Sequence, residues 1–409
     1  MSTATDPVPL ATSAAEPVSP AKSPGRLRSL DAYRGFVMLL MASEGFGITR
    51  VAKHFKESPV WQQLADQTDH VQWVGCSLWD LIQPSFMFMV GVALAFSIAS
   101  RMAKGQPFAR MLLHAAFRAL VLVWLGIFLR SVSHIQTNFT FEDVLTQIGL
   151  GYVFLFLLAW TKPRTQAIVA FGILIAYWVA FAVWPVPPAG FDYPSVGANG
   201  GPYLQGFAAH WGKNTNIAAV FDHWFLNLFP RLEEFKYNGG GYLTLSFIPS
   251  LATMIFGLLA GQLLRSLRPA GLKVAILVLA GLLGLGAGWA LDAFGVCPIV
   301  KRIWTPSWAI FAGGWTGLLL AAFYAAIDLT GWTRWAFPLI VVGTNSIAMY
   351  CMAHLFDSFI RRSFTTHFGP HIFRFPAAEF EPITTSAVTL IVLWLLCLWL
   401  YRKRVFIRI

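Results

Sequence analysis

Ten apolar windows, each long enough to cross the hydrocarbon core of a bilayer, constrain this chain more than any other feature of its sequence. They cover residues 32–50, 78–100, 109–130, 143–161, 166–185, 243–264, 273–295, 306–328, 337–359 and 385–402. A spanning helix needs about 20 mostly apolar residues. Charged residues make up 12% of the chain, whereas a soluble domain carries about 25%. The sequence therefore predicts an all-α, polytopic membrane bundle of about ten transmembrane helices.

The distribution of Lys and Arg predicts the orientation of these helices. If the N-terminus lies inside, the inner connections contain most of the basic residues that flank the windows: Lys22, Arg26, Arg28, Arg101, Lys104, Arg110, Lys162, Arg164, Arg265, Arg268, Lys273, Arg334, Arg402, Lys403, Arg404 and Arg408. Cytoplasmic connections are enriched in Lys and Arg. Both termini are thus predicted to lie in the cytoplasm, and His70 to lie on the outer side.

Two segments fall outside the predicted helices. Residues 1–25 are rich in Ala, Pro, Ser and Thr and have no apolar core, which predicts a disordered cytoplasmic tail and not a signal peptide. A single membrane domain then covers residues 26–408. Its segment 186–241 is rich in Pro, Gly, Trp and Tyr, and it is predicted to be a long outer loop that forms an ordered cap.

Several function classes are disfavoured. The net charge of +11 comes from scattered basic residues, so topology explains it better than nucleic-acid binding does. The chain has no GxxxxGK[ST] loop, GxSxG elbow or HExxH motif, which argues against an ATP-driven pump and a serine hydrolase. Its four cysteines have no metal-ligand spacing, and no metal site is predicted.

His70 and Asp80 form the first candidate site. Asp80 lies just inside an apolar window, where an ionisable residue indicates a functional site because burying its charge is costly. A His ten residues earlier can exchange protons near neutral pH. An interfacial His and a structural Asp explain the pair about equally well. Gln83 beside Pro84 adds a polar group and a kink at the same depth, which indicates a cavity.

Asp31 and Arg34 form the second candidate site. They are three residues apart, so they share one helix face at the predicted cytoplasmic mouth of the first helix. They are either a local ion pair that starts the helix or a charged lip at which Arg34 contacts a phosphate group. The sequence favours neither interpretation.

Further polar residues interrupt the apolar windows. Taken singly, each fits hydrogen bonding within the bundle, but together they indicate a polar path across the membrane. They are Glu44, His114, Arg118, Gln147, Asn345, His354 and Asp357.

Seven segments, in order along nearly the whole membrane domain, resemble conserved motifs of the heparan-alpha-glucosaminide N-acetyltransferase family, specifically its bacterial relatives. They are RLRSLDAYRG (26–35), HVQWVGCSLWD (70–80), PSFMFMVG (84–91), DVLTQIGLGY (143–152), IPSLAT with GLLAG (248–261), PIVKRIWTPS (298–307) and GTNSI (343–347). The chain departs from the family pattern twice. Gly45, next to Glu44, stands near the position of a functional Asn, and Gln147 replaces an Arg.

The resemblance implies a multi-pass enzyme of a bacterial inner membrane that moves an acetyl group from cytosolic acetyl-CoA to an amino sugar or glycan on the far side. The family's active-site His aligns with His70. The acceptor, the role of the long outer loop and the oligomeric state, including a homodimer, stay open.

A mechanistic hypothesis follows from this resemblance. The phosphates of acetyl-CoA pair with Arg34 and Arg118. His70 acts as a general base or carries the acetyl group, Asp80 orients its imidazole, and Asn345 donates to the developing oxyanion. The remaining candidates would line the cavity or the substrate path: Asp31, Glu44, Gln83 and His354.

A rival hypothesis is transport. A permease for an amino sugar or oligosaccharide would use His70 and Asp80 as a proton relay. A structural membrane subunit is a third interpretation, which the density of ionisable residues in the apolar windows disfavours. Binding of acetyl-CoA discriminates between these classes, because a sugar permease has no use for it.

Overall fold

The computed structural model describes residues 27–199 and 203–407, and within them every regular element is helical. The predicted tail, residues 1–25, lies outside the described residues. The α-helices are α1 (Arg28–Ala42), α2 (Ile48–Ala52), α3 (Pro59–Gln67), α4 (Ile82–Ala103), α5 (Phe108–Ser131), α6 (Val144–Leu158), α7 (Pro163–Ala182), α8 (Ile217–Leu226), α9 (Phe247–Arg265), α10 (Ala270–Ala293), α11 (Pro306–Phe323), α12 (Phe337–Thr344), α13 (Ser346–Phe368) and α14 (Glu381–Arg402).

The prediction of a polytopic helical membrane bundle is confirmed, but the number of spans needs correction. In the described part of the chain, eight helical segments are long and apolar enough to cross a bilayer, and a bent pair, α12 with α13, makes a ninth if it counts as one span. The predicted window 143–161 forms only α6, a helix of 15 residues. At 1.5 Å per residue it is about 22 Å long, which is shorter than the roughly 30 Å hydrocarbon core.

Two of the predicted helices are interrupted. The first ends at Ala42, and a turn with positive φ angles from Glu44 to Gly47 leads into the short helix α2. The window 337–359 breaks at Asn345, where α12 and α13 meet at an angle of 71°. Irregular backbone at membrane depth is tolerated where it is buried in protein or lines a cavity, and both breaks lie beside polar side chains.

Close helix contacts depend on glycine. Gly91 of α4 packs directly against Met254 and Leu258 of α9, and a Cβ atom there would collide with the carbonyl oxygen of Met254. Gly35 of α1 meets Leu339 of α12 in the same way. Small residues allow helix backbones to approach closely in membranes, where packing replaces the hydrophobic effect as the driving force. These contacts fix α4 and α1, which carry the candidate residues.

The described residues of segment 186–241 pack over one end of the bundle. They include α8 and the fully buried Trp211, which joins an apolar cluster with Leu243, Cys297 and Val300. Asn214 donates hydrogen bonds to the carbonyl oxygens of Val196 and Asn238. These contacts tie the segment to the loop between α10 and α11, next to the candidate site.

Candidate active site

A short loop between α3 and α4 positions His70. The carboxylate of Asp69 accepts a hydrogen bond from the His70 backbone N–H at 2.7 Å, and the Ser77 hydroxyl donates to the Asp69 carbonyl oxygen at 2.6 Å. Gln67, the last residue of α3, accepts from the backbone N–H of Leu78 at 3.0 Å. These local bonds close the loop. The His70 side chain is 34% exposed, so a substrate can reach it.

Asp80 lies in the single 3₁₀ turn Trp79–Leu81 that leads into α4, and its side chain is 1% exposed. Its Oδ1 atom is 2.7 Å from Nδ1 of His70. Its Oδ2 atom accepts from the Ser77 backbone N–H at 3.1 Å, the Ser77 hydroxyl at 3.0 Å and the Val71 backbone N–H at 3.3 Å. Buried charges are retained where they are paired and hydrogen-bonded, as Asp80 is.

Lys301 completes this cluster, although it was not among the site residues predicted from the sequence. Its Nζ atom lies 3.2 Å from Oδ1 of Asp80 and 3.1 Å from Nδ1 of His70, and the side chain is 5% exposed. The sequence did contain a signal, because Lys301 is the one Lys of the PIVKRIWTPS segment (298–307) that resembles a motif of the family. We call His70, Asp80 and Lys301 the His70 cluster.

The loop that carries Lys301 is rigidly attached to α11. Thr305 caps this helix by accepting from the backbone N–H of Trp308, and the same hydroxyl donates to the carbonyl oxygen of Pro298 at 2.8 Å. The backbone N–H of Gly75 donates to the carbonyl oxygen of Ile299 at 2.9 Å, which ties this loop to the His70 loop. The position of Lys301 is therefore set by backbone contacts of its loop.

Tyr242, which directly follows segment 186–241, places an aromatic ring beside His70. The ring of Tyr242 lies edge-on to His70, with 6.5 Å between ring centroids. The guanidinium of Arg302 stacks over Tyr242 and donates to the carbonyl oxygens of Gly240 and Val71. Amphipathic aromatic surfaces of this kind bury apolar area and still leave polar edges for a ligand.

The hydrogen bonds define which nitrogen of His70 is reactive. With Asp80 as a carboxylate, Nδ1 carries the proton and donates to Oδ1, which leaves the lone pair on Nε2. This arrangement suits general-base or nucleophilic chemistry. Cys76 is not a competing nucleophile, because burial, reinforced by the charge of Asp80, raises the pKa of its thiol to about 12, and the thiolate is the reactive form.

A cavity of about 620 Å³ contains the second candidate site. Along α4 its lining runs from Phe86 to Arg101, a distance of about 22 Å at 1.5 Å per residue. Asp31 and Arg34 both line it and lie 3.7 Å apart in an ion pair. Asp80 is at the start of α4, so the cavity extends from near the His70 cluster to the opposite end of that helix.

Arg118 also lines this cavity. Its Nη1 atom donates to the hydroxyl of Tyr152 at 3.1 Å, and the guanidinium stacks over the Tyr152 ring at 4.7 Å. Its Nε atom is buried and has no hydrogen-bond partner among the described residues. An unpaired buried donor costs free energy, so this guanidinium is suited to an anionic ligand. His114 and Arg101 line the same wall.

Gln83 lies between the two candidate sites. It is three residues from Asp80 and three from Phe86 on α4, and its side-chain amide donates to the Gln147 side-chain oxygen at 3.2 Å. Neither glutamine is among the residues that line the cavity. Along α4, the Gln83–Gln147 pair therefore lies between Asp80 and the Phe86 end of the cavity.

The structure does not bring three other predicted residues to His70. The Asn345 carboxamide donates to the carbonyl oxygen of Val405 and accepts from the backbone N–H of Ile407, so it anchors the C-terminal segment and is not available as an oxyanion donor at His70. Glu44 pairs with Arg361 at 2.7 Å. His354 stacks on Tyr350 and bonds to its carbonyl oxygen. Neither Glu44 nor His354 lines the cavity.

Comparisons with known proteins agree with the motifs. No protein-family model matches the chain. It is 23% identical to human heparan-alpha-glucosaminide N-acetyltransferase over 94% of its own length. The chain is related to this protein at the level of the family. The mouse enzyme of the same name is 22% identical over 82% of the chain.

The relationship covers most of this chain and a little more than half of each relative. The aligned part spans 60% of the human protein and 54% of the mouse protein. The family-level relationship that the sequence motifs predicted is confirmed. The activity that the relatives' names describe is carried over to this chain only as a proposal.

Proposed function

We propose that this protein is a transmembrane acetyltransferase that takes an acetyl group from acetyl-CoA in the cavity and passes it to an amine acceptor at the His70 cluster. The observation that carries the proposal is a histidine with a carboxylate partner at one end of α4 and a cationic cavity along the rest of that helix. The basic residues of the connections support a cavity mouth on the cytosolic side and His70 on the far side, which in this proposal is the periplasmic side of a bacterial inner membrane.

The cavity fits the co-substrate in charge and in shape. Arg34 and Arg118 present guanidinium groups to it, and guanidinium binds phosphate oxygens in bidentate, charge-assisted hydrogen bonds. The buried Nε atom of Arg118, which has no partner in the described part of the chain, is satisfied by such a ligand. Toward Phe86 and Leu122 the lining becomes apolar, as a long, narrow pantetheine arm requires.

Acetyl-CoA supplies an activated thioester, and the residues of the chain supply the proton chemistry. An amine must lose a proton as it attacks the acetyl carbonyl, and Nε2 of His70 accepts that proton. Asp80 stabilises the resulting imidazolium through its 2.7 Å contact with Nδ1, as a carboxylate does in a catalytic triad. In the alternative sequence of steps, Nε2 itself attacks the acetyl carbonyl, the thioester C–S bond breaks and CoA leaves as its thiolate. The amine then attacks the acetyl group on Nε2, the N–acetyl bond to His70 breaks, and the imidazole is regenerated and takes up the proton that the amine loses.

On this route, the acetyl group passes the pair of glutamines on its way from the cavity to His70. Gln83 and Gln147 join α4 to α6 by one neutral hydrogen bond of 3.2 Å. Such a bond contributes only about 0.5–1.5 kcal/mol, so opening it is compatible with turnover. In this proposal, the acceptor stays outside while the donor approaches from the cavity.

The acceptor is an amino sugar or a glycan that carries one. Tyr242 beside His70 offers a ring face for a sugar, and the site is open, since the His70 side chain is 34% exposed. A primary amine is the acceptor chemistry that requires a general base with a lone pair on Nε2.

The test is a direct assay with the detergent-purified full chain. Acetyl-CoA and glucosamine are supplied, and release of the free thiol and formation of N-acetylglucosamine are measured together. Acetyl-CoA must also raise the melting temperature, because a ligand that binds only the folded state stabilises it. Product from the wild type but not from His70→Ala is the expected result.

The opposite result points to the rival function. If acetyl-CoA at millimolar concentration gives neither stabilisation nor thiol release while the protein stays folded, acetyl transfer is wrong. Proton-coupled uptake of the amino sugar into vesicles is then the assay to perform, since a permease would use the same His70 and Asp80 as a relay.

A further inference from the structure

The contact between Lys301 and His70 does more than complete an ion pair. Nζ of Lys301 is 3.1 Å from the same Nδ1 atom that lies 2.7 Å from Asp80. Nζ is also 3.2 Å from Oδ1 of Asp80. Two nitrogen atoms thus surround one carboxylate oxygen, and their protons must be distributed among these three atoms.

The shortest of these contacts favours one distribution. A lysine ammonium has donors and no acceptor, and a carboxylate has acceptors and no donor. If Nδ1 carries the proton, both nitrogens donate to Oδ1 and the Nε2 atom keeps its lone pair. If the proton moved to Nε2, Lys301 could donate to the bare Nδ1 atom, but that atom would then face the lone pairs of Oδ1 at 2.7 Å, and Asp80 would lose a donor. Asp80, and not Lys301, therefore holds the proton on Nδ1.

A second proton on the imidazole is also disfavoured by this geometry. It would create an imidazolium cation with a ring nitrogen 3.1 Å from the Lys301 ammonium. Like charges at such a distance repel strongly, most of all where water is excluded, and Lys301 is 5% exposed.

We propose that Lys301 is a positioning residue that keeps the imidazole of His70 uncharged until the acceptor amine arrives, while Asp80 holds its proton on Nδ1. The inference deepens the proposed acetyl transfer and, in its catalytic meaning, rests on it. Lys301 acts on the reaction through His70 and not by contact with the reacting atoms.

The surroundings of Lys301 support a charged ammonium at neutral pH. Burial lowers the pKa of Lys301 to about 8, and the neighbouring Asp80 carboxylate opposes that decrease. Other groups that face the cluster are Arg302, which lies beside Lys301, the Cys76 thiol, Asp69 at the backbone of His70, and the ring of Tyr242. Among these, only Lys301 contacts both Asp80 and the His70 ring.

The proposal predicts how His70 titrates, and this is measurable without any acetyl transfer. Diethyl pyrocarbonate modifies only the unprotonated imidazole, so the rate of modification of His70, followed by peptide mass spectrometry across the pH scale, reports its protonation. The variants are Lys301→Met and Lys301→Gln, which remove the charge, and Lys301→Arg, which retains it. Lys213→Met is the matched control, since Lys213 is a lysine of the segment 186–241 that lies close to Gly241 and does not bond to Asp80.

In both neutral variants, we expect the half-point of the modification profile to move upward by about one pH unit or more, a tenfold change in proton affinity. The imidazolium then takes the place of the missing ammonium beside Asp80. Lys301→Arg and Lys213→Met should stay close to the wild type. An unchanged half-point in folded Lys301→Met and Lys301→Gln overturns the proposal, because a merely structural lysine changes stability alone.

A second measurement needs no substitution at Lys301. The ¹⁵N spectrum of wild-type protein labelled at histidine, with His70 assigned by its loss in His70→Gln, shows whether the ring carries one proton or two. A ring that stays singly protonated at about pH 6 supports the inference, and an imidazolium at that pH overturns it even if the neutral Lys301 variants do not fold.

The outcomes for Lys301 and for acetyl transfer are separable. If the wild type releases no thiol from acetyl-CoA but the half-point moves in the Lys301 variants, the proposed function fails and the role of Lys301 in the proton distribution stands. If the wild type is active and the half-point does not move, the function stands and the inference about Lys301 fails.

Discussion

The His70 cluster and the cavity both contain positive charges, but they balance them differently. In the cluster, the Asp80 carboxylate contacts Lys301 and His70 within 3.2 Å and accepts three further hydrogen bonds from Ser77 and Val71. In the cavity, the Arg34–Asp31 pair is wider, at 3.7 Å, and Nε of Arg118 has no partner among the described residues.

The difference indicates two kinds of site. Groups that act on a transition state work best when they are oriented beforehand, so that no reorganisation is needed during the reaction. Groups that bind a charged ligand keep donors for it. The cluster has the first property and the cavity has the second, which is why we propose catalysis at one and co-substrate binding at the other.

The largest expected effect comes from removing the reactive group of the cluster. His70→Ala should lower acetyl transfer by about 100-fold or more, the usual contribution of a general base, because Nε2 is the proposed proton acceptor. The rise in melting temperature with acetyl-CoA should be unchanged, since His70 does not line the cavity. Initial rates and thermal unfolding curves measure the two properties, and a variant that loses both would show that the two sites are not separate.

Removing the Asp80 carboxylate should leave the positive charge of the His70 cluster uncompensated and destabilise the protein. Asp80→Asn leaves Lys301 buried without its counter-charge, which costs about 3–5 kcal/mol of stability when one partner of a buried pair is lost. The double variant Asp80→Asn with Lys301→Gln should recover part of that loss, because no charge is left unpaired. Thermal or denaturant unfolding of the wild type, both single variants and the double variant gives the coupling, and equal losses in Asp80→Asn and in the double variant would contradict it.

A smaller and different effect is expected in the cavity. Arg118→Gln should weaken binding of acetyl-CoA by about tenfold, since a hydrogen bond to a charged group contributes roughly 1.5–3 kcal/mol, while the rate at saturating acetyl-CoA changes little. Arg110→Gln on the same helix is the control, because Arg110 does not line the cavity. Titrations of melting temperature against acetyl-CoA compare them. Equal behaviour of the two variants would remove Arg118 from the binding site.

The last prediction concerns a buried carboxyl that has no cation in contact, and its effect is confined to part of the pH range. Asp222 of α8 accepts from the Thr244 backbone N–H through Oδ2, and its Oδ1 atom has no partner in the described part of the chain. Burial raises its pKa to about 7. A folded-state pKa above the unfolded value means that the stabilising contribution is present at acidic pH and is lost as the pH rises from about 4 through 7.

Asp222→Asn should therefore remove part of the pH dependence of stability. Above neutral pH the variant should melt at a higher temperature than the wild type, because the wild type must ionise a buried acid or keep it protonated at a cost. Below about pH 4 the two should be similar. If the difference in melting temperature between the two proteins is the same at every pH, this carboxyl does not titrate in the folded protein. Asp80, with Lys301 beside it, represents the opposite solution to the same burial problem.

The membrane-spanning helices show how much of the fold a local hydropathy pattern predicts. Eight of the ten predicted windows coincide with helical segments that are long and apolar enough to cross a bilayer, because a transmembrane helix satisfies its backbone hydrogen bonds within one segment. The pattern failed at α6, where an apolar run of sufficient length forms a helix of only 15 residues, and it gave no sign of the 71° bend at Asn345.

In the candidate site too, contacts within one segment were predictable and contacts between distant segments were not. His70 and Asp80 lie in one motif, and the loop that joins them is closed by bonds among residues 67–80, so their pairing was accessible from the sequence. Lys301 comes from a loop that is 231 residues away from His70. Asn345 looked equally polar in its window, yet the C-terminal segment engages its side chain.

The sequence by itself determined that the chain is a helical membrane protein, where most of its helices lie, and which histidine and carboxylate form a pair. These properties depend on hydropathy and on short-range hydrogen bonds, which a local pattern encodes. Only the tertiary structure decided that Lys301 joins that pair, that Asn345, Glu44 and His354 do not, and that Arg34 and Arg118 line one cavity. Those relationships depend on how distant helices pack, and packing in a bilayer is governed by shape and by polar contacts between helices that no single segment contains.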